Sequence, residues 1–449
     1  MTVSTEAAVG TETGAIRSKP VSLFYPWLVV AFLMVLYTSS FIDRQILSLL
    51  VKPIRAEFGI SDTQYSILTG LAFVTLYSLA GIPLGWIVDR WSRRLIIAIG
   101  VAAWSIMTAG CGLANSFGRL FAFRVGVGIG EATLSPAAYS LVSDLFPREK
   151  LGRALSLFAL GSQIGSGLAL VIGGSVIKAL TDIGPVDLPV VGVTKPWQVV
   201  FLVIGLPGLI LALLTLLVVR EPRHKPAAGV ADDGPTMGAT LAYMWLHRRI
   251  YGSLFIGMGL IAMFGYASNA WYPTYLQRIH GYTIPQAGYF WGISTLVFGI
   301  IGAIAAGTTA DRLIAKGRLD GHFRVTIAYG IGNAVCGVAV GLIPVPWLSL
   351  VFVVATGFFS NTLIGVIAAA IQTVTPARMR GKVSSFYLFT AAFIGMAFGP
   401  TAVGAATDHI FGYDNAVGYS IALVAFVFPT IGCLVIQSGR KAVLRHLAG

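Results

Sequence analysis

Long runs almost free of charge recur along the whole chain, for example Trp27–Ile42, Leu95–Ala114 and Val199–Val219. An α-helix needs about 20 apolar residues to cross the hydrocarbon core of a bilayer. Twelve segments qualify, at 25–50, 63–88, 95–115, 118–143, 153–180, 197–219, 250–276, 285–310, 323–344, 346–374, 383–407 and 415–438. The division between the ninth and the tenth rests on Pro344 and Pro346. Lipid offers the backbone no hydrogen-bond partner, so every span is expected to be helical. Only 11% of the 449 residues are charged and 56% are hydrophobic, against about 25% charged in an ordinary soluble domain. In water such a chain could not cover its own surface. Its 53 glycines suit close helix approach in a membrane. The expected fold is an all-α membrane protein of twelve transmembrane helices. Residues 1–23 are polar and precede a full-length span, so no cleavable signal peptide is expected.

The net charge of +13 invites a nucleic-acid reading, but its distribution argues otherwise. With residue 1 placed inside, 23 of the 31 Lys and Arg residues fall on the inner side and 6 on the outer. Such asymmetry orients membrane proteins and places both termini in the cytoplasm. The two remaining, Arg44 and Arg124, lie within spans. No nucleic-acid partner is expected. Cys111, Cys336 and Cys433 each fall in a span and read as small buried hydrophobes, without a disulfide or metal pattern.

The longest inner connection, 221–249, carries Pro222, Pro226 and Pro235 with Asp232 and Asp233, and reads as a flexible linker. It separates a six-helix bundle at 24–220 from a second at 250–438, with cytoplasmic tails at 1–23 and 439–449. The halves repeat. Gly85-Trp-Ile-Val-Asp89-Arg90 closes the second span and Gly307-Thr-Thr-Ala-Asp311-Arg312 the eighth, 222 residues on. Pro147, Gly152 and Ser156 match Pro376, Gly381 and Ser385 at an offset of 229. Parallel six-span repeats imply two pseudo-symmetric bundles.

On these residues the chain resembles the major facilitator superfamily. Gly85-x-x-x-Asp89-Arg90-x-x-Arg93-Arg94 is similar to its loop signature, with Ser92 where that signature usually has Gly. Arg124-x-x-x-Gly128-x-Gly130 resembles its fourth-helix signature, and Gly395-x-x-x-Gly399-Pro400 a pattern more usual on helix 5. A narrower likeness is carried by Phe41-Ile-Asp43-Arg44, by Arg124 through Gly130-Glu131-Ala132, by Ser143-Asp144-Leu-Phe and by Gly165-Ser-Gly-Leu168. It points to the spinster branch, which is associated with export of sphingosine-1-phosphate and lysophospholipids. Related organic-anion branches share the Asp-Arg pair on helix 1.

An ionisable group inside a span is costly and is usually paired and functional. Away from the span ends, the only carboxylates within spans are Asp43 and Glu131, and the only basic residues Arg44 and Arg124. All six histidines lie in loops, tails or span edges, which argues against a histidine relay in the core. Counting from the span ends puts Asp43 and Arg124 at similar depth, about 10 Å below the outer boundary, and predicts an ion pair between them. Glu131 follows Arg124 by two helical turns on the same face, with Gly128 between them leaving that face open. These four are the expected proton-coupling and substrate residues. The competing role is a salt bridge that merely fixes helices 1 and 4.

The mechanism so implied is alternating access, with the halves rocking about a site lined, by the resemblance, by helices 1, 4, 7 and 10. An anionic head group would meet Arg124 or Arg44 while a proton occupies Asp43 or Glu131. Deprotonation would then restore the internal pair. By the same resemblance Asp89, Arg90, Asp311 and Arg312 form an inner latch between helices 2 and 11 and between 8 and 5. Asp89 would face Lys382 at the start of helix 11, and Arg93 would pair with Asp144. Weaker cavity candidates are Gln163 on helix 5, Asn269, Trp271 and Tyr272 on helix 7, and Asn361 on helix 10. For Trp271, Tyr272 and Tyr275 an interfacial aromatic belt competes, and for the asparagines helix–helix bonding. Gly161, Gly165, Gly173 and Gly174 read as packing positions.

The expected activity is that of a proton-coupled secondary transporter of an amphiphilic lipid phosphate or lysolipid. A small organic anion or drug is the alternative. A sugar acid would call for more polar cavity residues. No phosphate-cradling Gly-rich loop followed by Lys-Ser or Lys-Thr occurs, so ATP-driven pumping is unsupported. A membrane enzyme would need a His or Cys constellation, and the short tails disfavour a receptor. No cofactor or metal is expected. The expected partners are membrane lipids, protons and the anionic or amphiphilic substrate, in a monomer of the bacterial inner membrane.

Overall fold

The computed structural model describes residues 24–88, 90–188, 192–221, 235–360 and 363–448. Among them, ten helical stretches are long and apolar enough to cross a membrane. The first is α1 (Phe24–Gln45), prolonged by a 3-10 turn at Ile46–Leu49. A short helix α2 (Val51–Phe58) follows outside the span. The second and fourth spans are each built of two helices. They are α3 (Asp62–Thr69) with α4 (Leu71–Val88), and α6 (Phe117–Glu131) with α7 (Leu134–Leu145). These two broken spans complete the twelve. Between them runs α5 (Arg93–Gly112). The first half ends with α8 (Arg148–Ile183) and α9 (Pro196–Val218), joined by a two-stranded hairpin of β1 (Val186–Leu188) and β2 (Gly192–Thr194).

Residues 222–234 of the expected linker lie outside the described residues. Its later part is a helix, α10 (Met237–Leu246), capped by Thr236, whose hydroxyl accepts from the Ala239 amide. The second half comprises α11 (Arg248–His280), α12 (Ile284–Ala315), α13 (Gly321–Leu342), α14 (Pro346–Ser360) with α15 (Leu363–Val374), α16 (Arg380–Ala405) and α17 (Val417–Ala448). Phe24 and the end of α17 share one face of the molecule, called here the terminal face; the α2 connection lies on the opposite, distal face.

The repeat extends to local geometry. Gly59 ends α2 at φ 62° and Gly281 ends α11 at φ 66°, both left-handed, where glycine avoids a steric penalty. Two residues later Ser61 and Thr283 each open the next helix with a capping box, closed by Gln64 and Gln286. Both pairs are 222 residues apart.

Glycines set the helix crossings. A Cβ on Gly161 or Gly165 of α8 would stand 2.6 Å from the Met34 or Thr38 carbonyl oxygen of α1. Gly395 and Gly399 of α16 meet Tyr266 and the Met263 backbone of α11 in the corresponding place. The core forks. One apolar cluster draws on both halves at the distal end, including Leu49, Leu170, Trp271 and Trp291. Toward the terminal face it divides into one cluster drawn almost wholly from the first half and another from the second half alone. The halves touch where α8 meets α12 and where α3 and α4 meet α16.

Candidate functional site

Asp43 and Arg44 sit on the last turn of α1, and Arg124 and Glu131 on α6. Arg44 grips Glu131, with Nη2 at 2.5 Å and Nε at 2.6 Å from Oε2. Ser40, one turn before Arg44, donates its hydroxyl to the same oxygen at 2.7 Å. The guanidinium also lies 4.7 Å from the Phe41 ring, 4.5 Å from Phe73 and 5.0 Å from Tyr77. Aromatic faces attract cations most strongly where water is scarce.

The expected ion pair between Asp43 and Arg124 is not formed. Asp43 turns toward α5 and accepts the Thr108 hydroxyl at 3.2 Å, while Arg124 Nη1 donates to the Asp43 main-chain carbonyl at 3.3 Å. Consecutive helical residues point about 100° apart. Arg44 therefore faces Glu131 and the interior of the half, while Asp43 faces α5. Gly128 does not leave its face open either: a Cβ there would meet the Phe73 carbonyl oxygen of α4 at 2.5 Å. This close approach brings Phe73 beside Arg44. Asp43 Oδ1, Glu131 Oε1 and Arg124 Nε, all buried, have no hydrogen-bond partner among the described residues.

From the aromatic box a line of rings runs toward the terminal face. Tyr37 stacks on Phe158 at 4.7 Å, and Tyr139 meets Phe158 edge-on at 5.5 Å. Tyr139 is 42% exposed, so the first half is not sealed over this line of rings. Sequence reasoning named Phe41 only as part of a motif, and Phe73, Tyr77, Ser40 and Thr108 not at all. Spacing could have found two of them, since Ser40 and Phe41 precede Arg44 by four and three residues and share its face.

The other candidates separate clearly. Trp271 and Tyr272 form no interfacial belt. Both are fully buried, with the indole N–H donated to the Pro400 carbonyl at 3.0 Å and the Tyr272 hydroxyl 3.0 Å from Thr356. Tyr275 is likewise buried and donates to the Val340 carbonyl. Among the described residues the exposed tryptophans are Trp91, Trp245 and Trp347. Asn269, half-buried, donates to the Gly265 carbonyl of its own helix. Gln163 is half-buried on α8. Asn361 and Asp89 lie outside the described residues.

At the terminal face Arg93 Nη1 meets Asp144 at 2.5 Å and Arg93 Nε meets Glu221 at 2.9 Å. Glu221 also accepts the Arg94 amide at 3.0 Å and the Ser92 hydroxyl at 2.9 Å, which caps α5. Burial pushes the Glu221 carboxyl up, but the Arg94 amide, Arg93 and Ser92 outweigh it and hold the group below the ordinary carboxylate range. Arg90, Asp311 and Arg312 are exposed, and Lys382 donates to the Pro235 carbonyl at 2.8 Å.

An unforeseen cluster joins the halves at the distal face. Arg278 of α11 holds Asp62 of α3 with two bonds, at 2.6 and 2.8 Å. Arg55 bridges Asp62 at 3.0 Å and Asp414 at 2.8 Å. Asp408 accepts both the Thr63 amide and hydroxyl at 2.6 Å, serving the start of α3 from the other half. Asp408 stands on a π-helical turn, Ala406–Phe411, that ends α16.

Two six-span halves, a buried charge site inside the first and a core that forks toward one face define a membrane carrier. The chain belongs to the Major Facilitator Superfamily, whose family model matches residues 33–400. It is a transporter and not an enzyme. Among curated relatives it is similar to an MFS-type efflux pump of Mycolicibacterium smegmatis, at 26% identity over 91% of each chain. It is also similar to human protein spinster homolog 1, at 24% identity over 94% of this chain and 83% of the relative. The D-galactonate transporter of Escherichia coli matches at 26% identity over 91% of this chain and 95% of that one. Among solved structures, a bacterial homologue of the human lysosomal transporter spinster, inward-facing and unoccupied, gives a TM-score of 0.80. The identity there is 25%, covering 96% of this chain and 99% of the other.

Proposed function

We propose that the protein is a proton-coupled carrier of an amphiphile with an anionic head, such as sphingosine-1-phosphate or a lysophospholipid. The observation that carries this reading is the Arg44–Glu131 pair enclosed by Phe41, Phe73 and Tyr77. A proton on Glu131 removes the charge that occupies Arg44. The guanidinium can then take a phosphate in the fork geometry that suits it. The neighbouring rings offer an apolar wall to the tail. Loss of the proton restores the pair and expels the head. Proton and substrate thus act on one pair of charges, and differential affinity in two states is sufficient for coupling. The likeness to spinster proteins supports the lipid class. In this reading the terminal face is cytoplasmic and the structure is the inward-facing state, closed by the Asp62–Arg278 cluster. Asp89, Arg90, Asp311 and Arg312 would latch the opposite face once the halves rock.

A small organic anion is the second reading, favoured by the likeness to the D-galactonate transporter. The same guanidinium would bind a carboxylate. Uptake of labelled sphingosine-1-phosphate, lysophospholipid and D-galactonate into proteoliposomes, with and without a pH gradient, separates the two. Lipid flux that needs the gradient and is lost in Glu131→Gln is the expected result. Galactonate flux alone would replace the substrate class. Lipid flux indifferent to both gradient and mutation would end the coupling scheme.

A further inference from the structure

The α10 helix packs Thr240, Tyr243 and Met244 inward yet leaves a second apolar face uncovered. Thr240 is fully buried, whereas Met237, Leu241 and Trp245, one face at four-residue spacing, are exposed, with Trp245 at 73%. Leu246 is as exposed as Trp245. At the C-terminal end of α10, where it meets the ends of α11 and α17, lies a cleft of about 330 Å³. Its polar lining is Arg248, Arg249, Arg445, His247 and His446. The two imidazoles meet edge-on at 4.9 Å, and the Arg248 guanidinium lies 5.7 Å from the Trp245 ring. No carboxylate lines the cleft, and none of its arginines has an ion-pair partner among the described residues. Arg93, Arg324 and Arg440, at the same face, are all paired.

We propose that this cleft binds the headgroup phosphate of an anionic phospholipid of the surrounding leaflet, with its chains lying along Trp245 and Leu246. Three observations favour a membrane lipid over a dissolved anion. The cleft stands at the terminal-face ends of α11 and α17, two of the helices long and apolar enough to cross a membrane. Exposed Leu246 lines it, and beside Arg248 lies the exposed Trp245, a residue type suited to the membrane interface. Basic pockets between membrane helices are suited to anionic lipid heads. Occupancy would tie α10, and so the linker between the halves, to the second bundle.

The test uses the full-length protein in neutral detergent, with phosphatidylglycerol, phosphatidylcholine and inorganic phosphate as probes. Native mass spectrometry reads lipid retention and thermal unfolding reads stabilisation. Wild type is compared with Arg248→Gln/Arg249→Gln/Arg445→Gln and with Lys316→Gln/Arg318→Gln/Arg378→Gln, which removes equal charge from exposed sites elsewhere on the same face. Preferential phosphatidylglycerol retention should fall about tenfold in the cleft variant and stay unchanged in the control. If the triple variant does not fold, Arg445→Gln alone, at the exposed end of α17, should still lower retention about threefold. Equal retention in cleft and control variants, or no preference over phosphatidylcholine, overturns the proposal. Phosphate that alone displaces the lipid and stabilises the protein equally would show a free-anion site and overturn it as well.

Discussion

Arg278 and Asp62 face each other across the two halves of the transporter in a two-bond fork, and Asp62 has no exposed surface. Removing one partner of such a pair leaves a desolvated charge and typically costs about 2–5 kcal/mol. In the proposed alternating-access scheme the pair exists only while the distal face is closed, so that cost falls on one conformer. Asp62→Asn should therefore shift the conformational balance by more than about tenfold toward opening of the distal face. Spin labels at Lys52 and Tyr413, exposed positions on either side of the junction, should show a longer distance population in the variant. An unchanged distribution would mean that the apolar distal core alone holds the face shut.

Arg44 places both Nε and Nη2 on a single Glu131 oxygen. Lysine keeps the charge but has no fork and less affinity for aromatic faces. Arg44→Gln should abolish flux of an anionic substrate, whereas Arg44→Lys should retain roughly a tenth of it, with the loss mainly in apparent affinity. Concentration-dependent uptake in proteoliposomes measures both. Full activity of Arg44→Gln would remove this side chain from the substrate path.

The spans were legible because an apolar run of about 20 residues can satisfy its backbone in lipid within itself only as a helix, so length and charge decide. The breaks at Gly70 and at Ala132–Thr133 were not, since a composition window averages across them. Arg44 and Glu131 were legible as a group, because charge in hydrocarbon needs an explanation. Their pairing was not: depth places Asp43 and Arg44 together, and only the facing of each side chain separates them. Trp271 misled because an amphipathic ring near a span end fits a belt as well as a core. Asp62 and Arg278 lie beyond the span ends, where charge is unremarkable until tertiary contact is known.

Gly165 and Gly399 are tests of the same crossing in the two halves. A methyl group at Gly165 would fall 2.7 Å from Phe41 Cβ, and one at Gly399 3.0 Å from the Met263 carbonyl carbon. Overpacking of this kind costs about 1–3 kcal/mol. Both alanine variants should unfold at lower temperature in detergent. Gly152→Ala and Gly381→Ala, where an added Cβ meets nothing within 4 Å, should unfold as late as wild type or later, since alanine is favoured over glycine in helices by about 1 kcal/mol. Equal behaviour of the two sets would show that the crossings can relax.

Glu221 provides a pH signature. Its folded-state carboxyl is held below the ordinary value of 4.5 by the Arg94 amide, Arg93 and Ser92 against the opposing effect of burial. A carboxyl depressed on folding contributes stability that is complete above its unfolded pKa and lost as pH falls through the folded one. Wild type should therefore lose thermal stability as pH drops below 4.5. Glu221→Gln should start lower at neutral pH, because the α5 cap and the Arg93 pair are weakened, and should lose less over the same acid range. Parallel pH profiles for the two proteins would assign the acid sensitivity to other carboxylates, with Asp320, held low by Arg324 and Arg440 against its burial, the next to test.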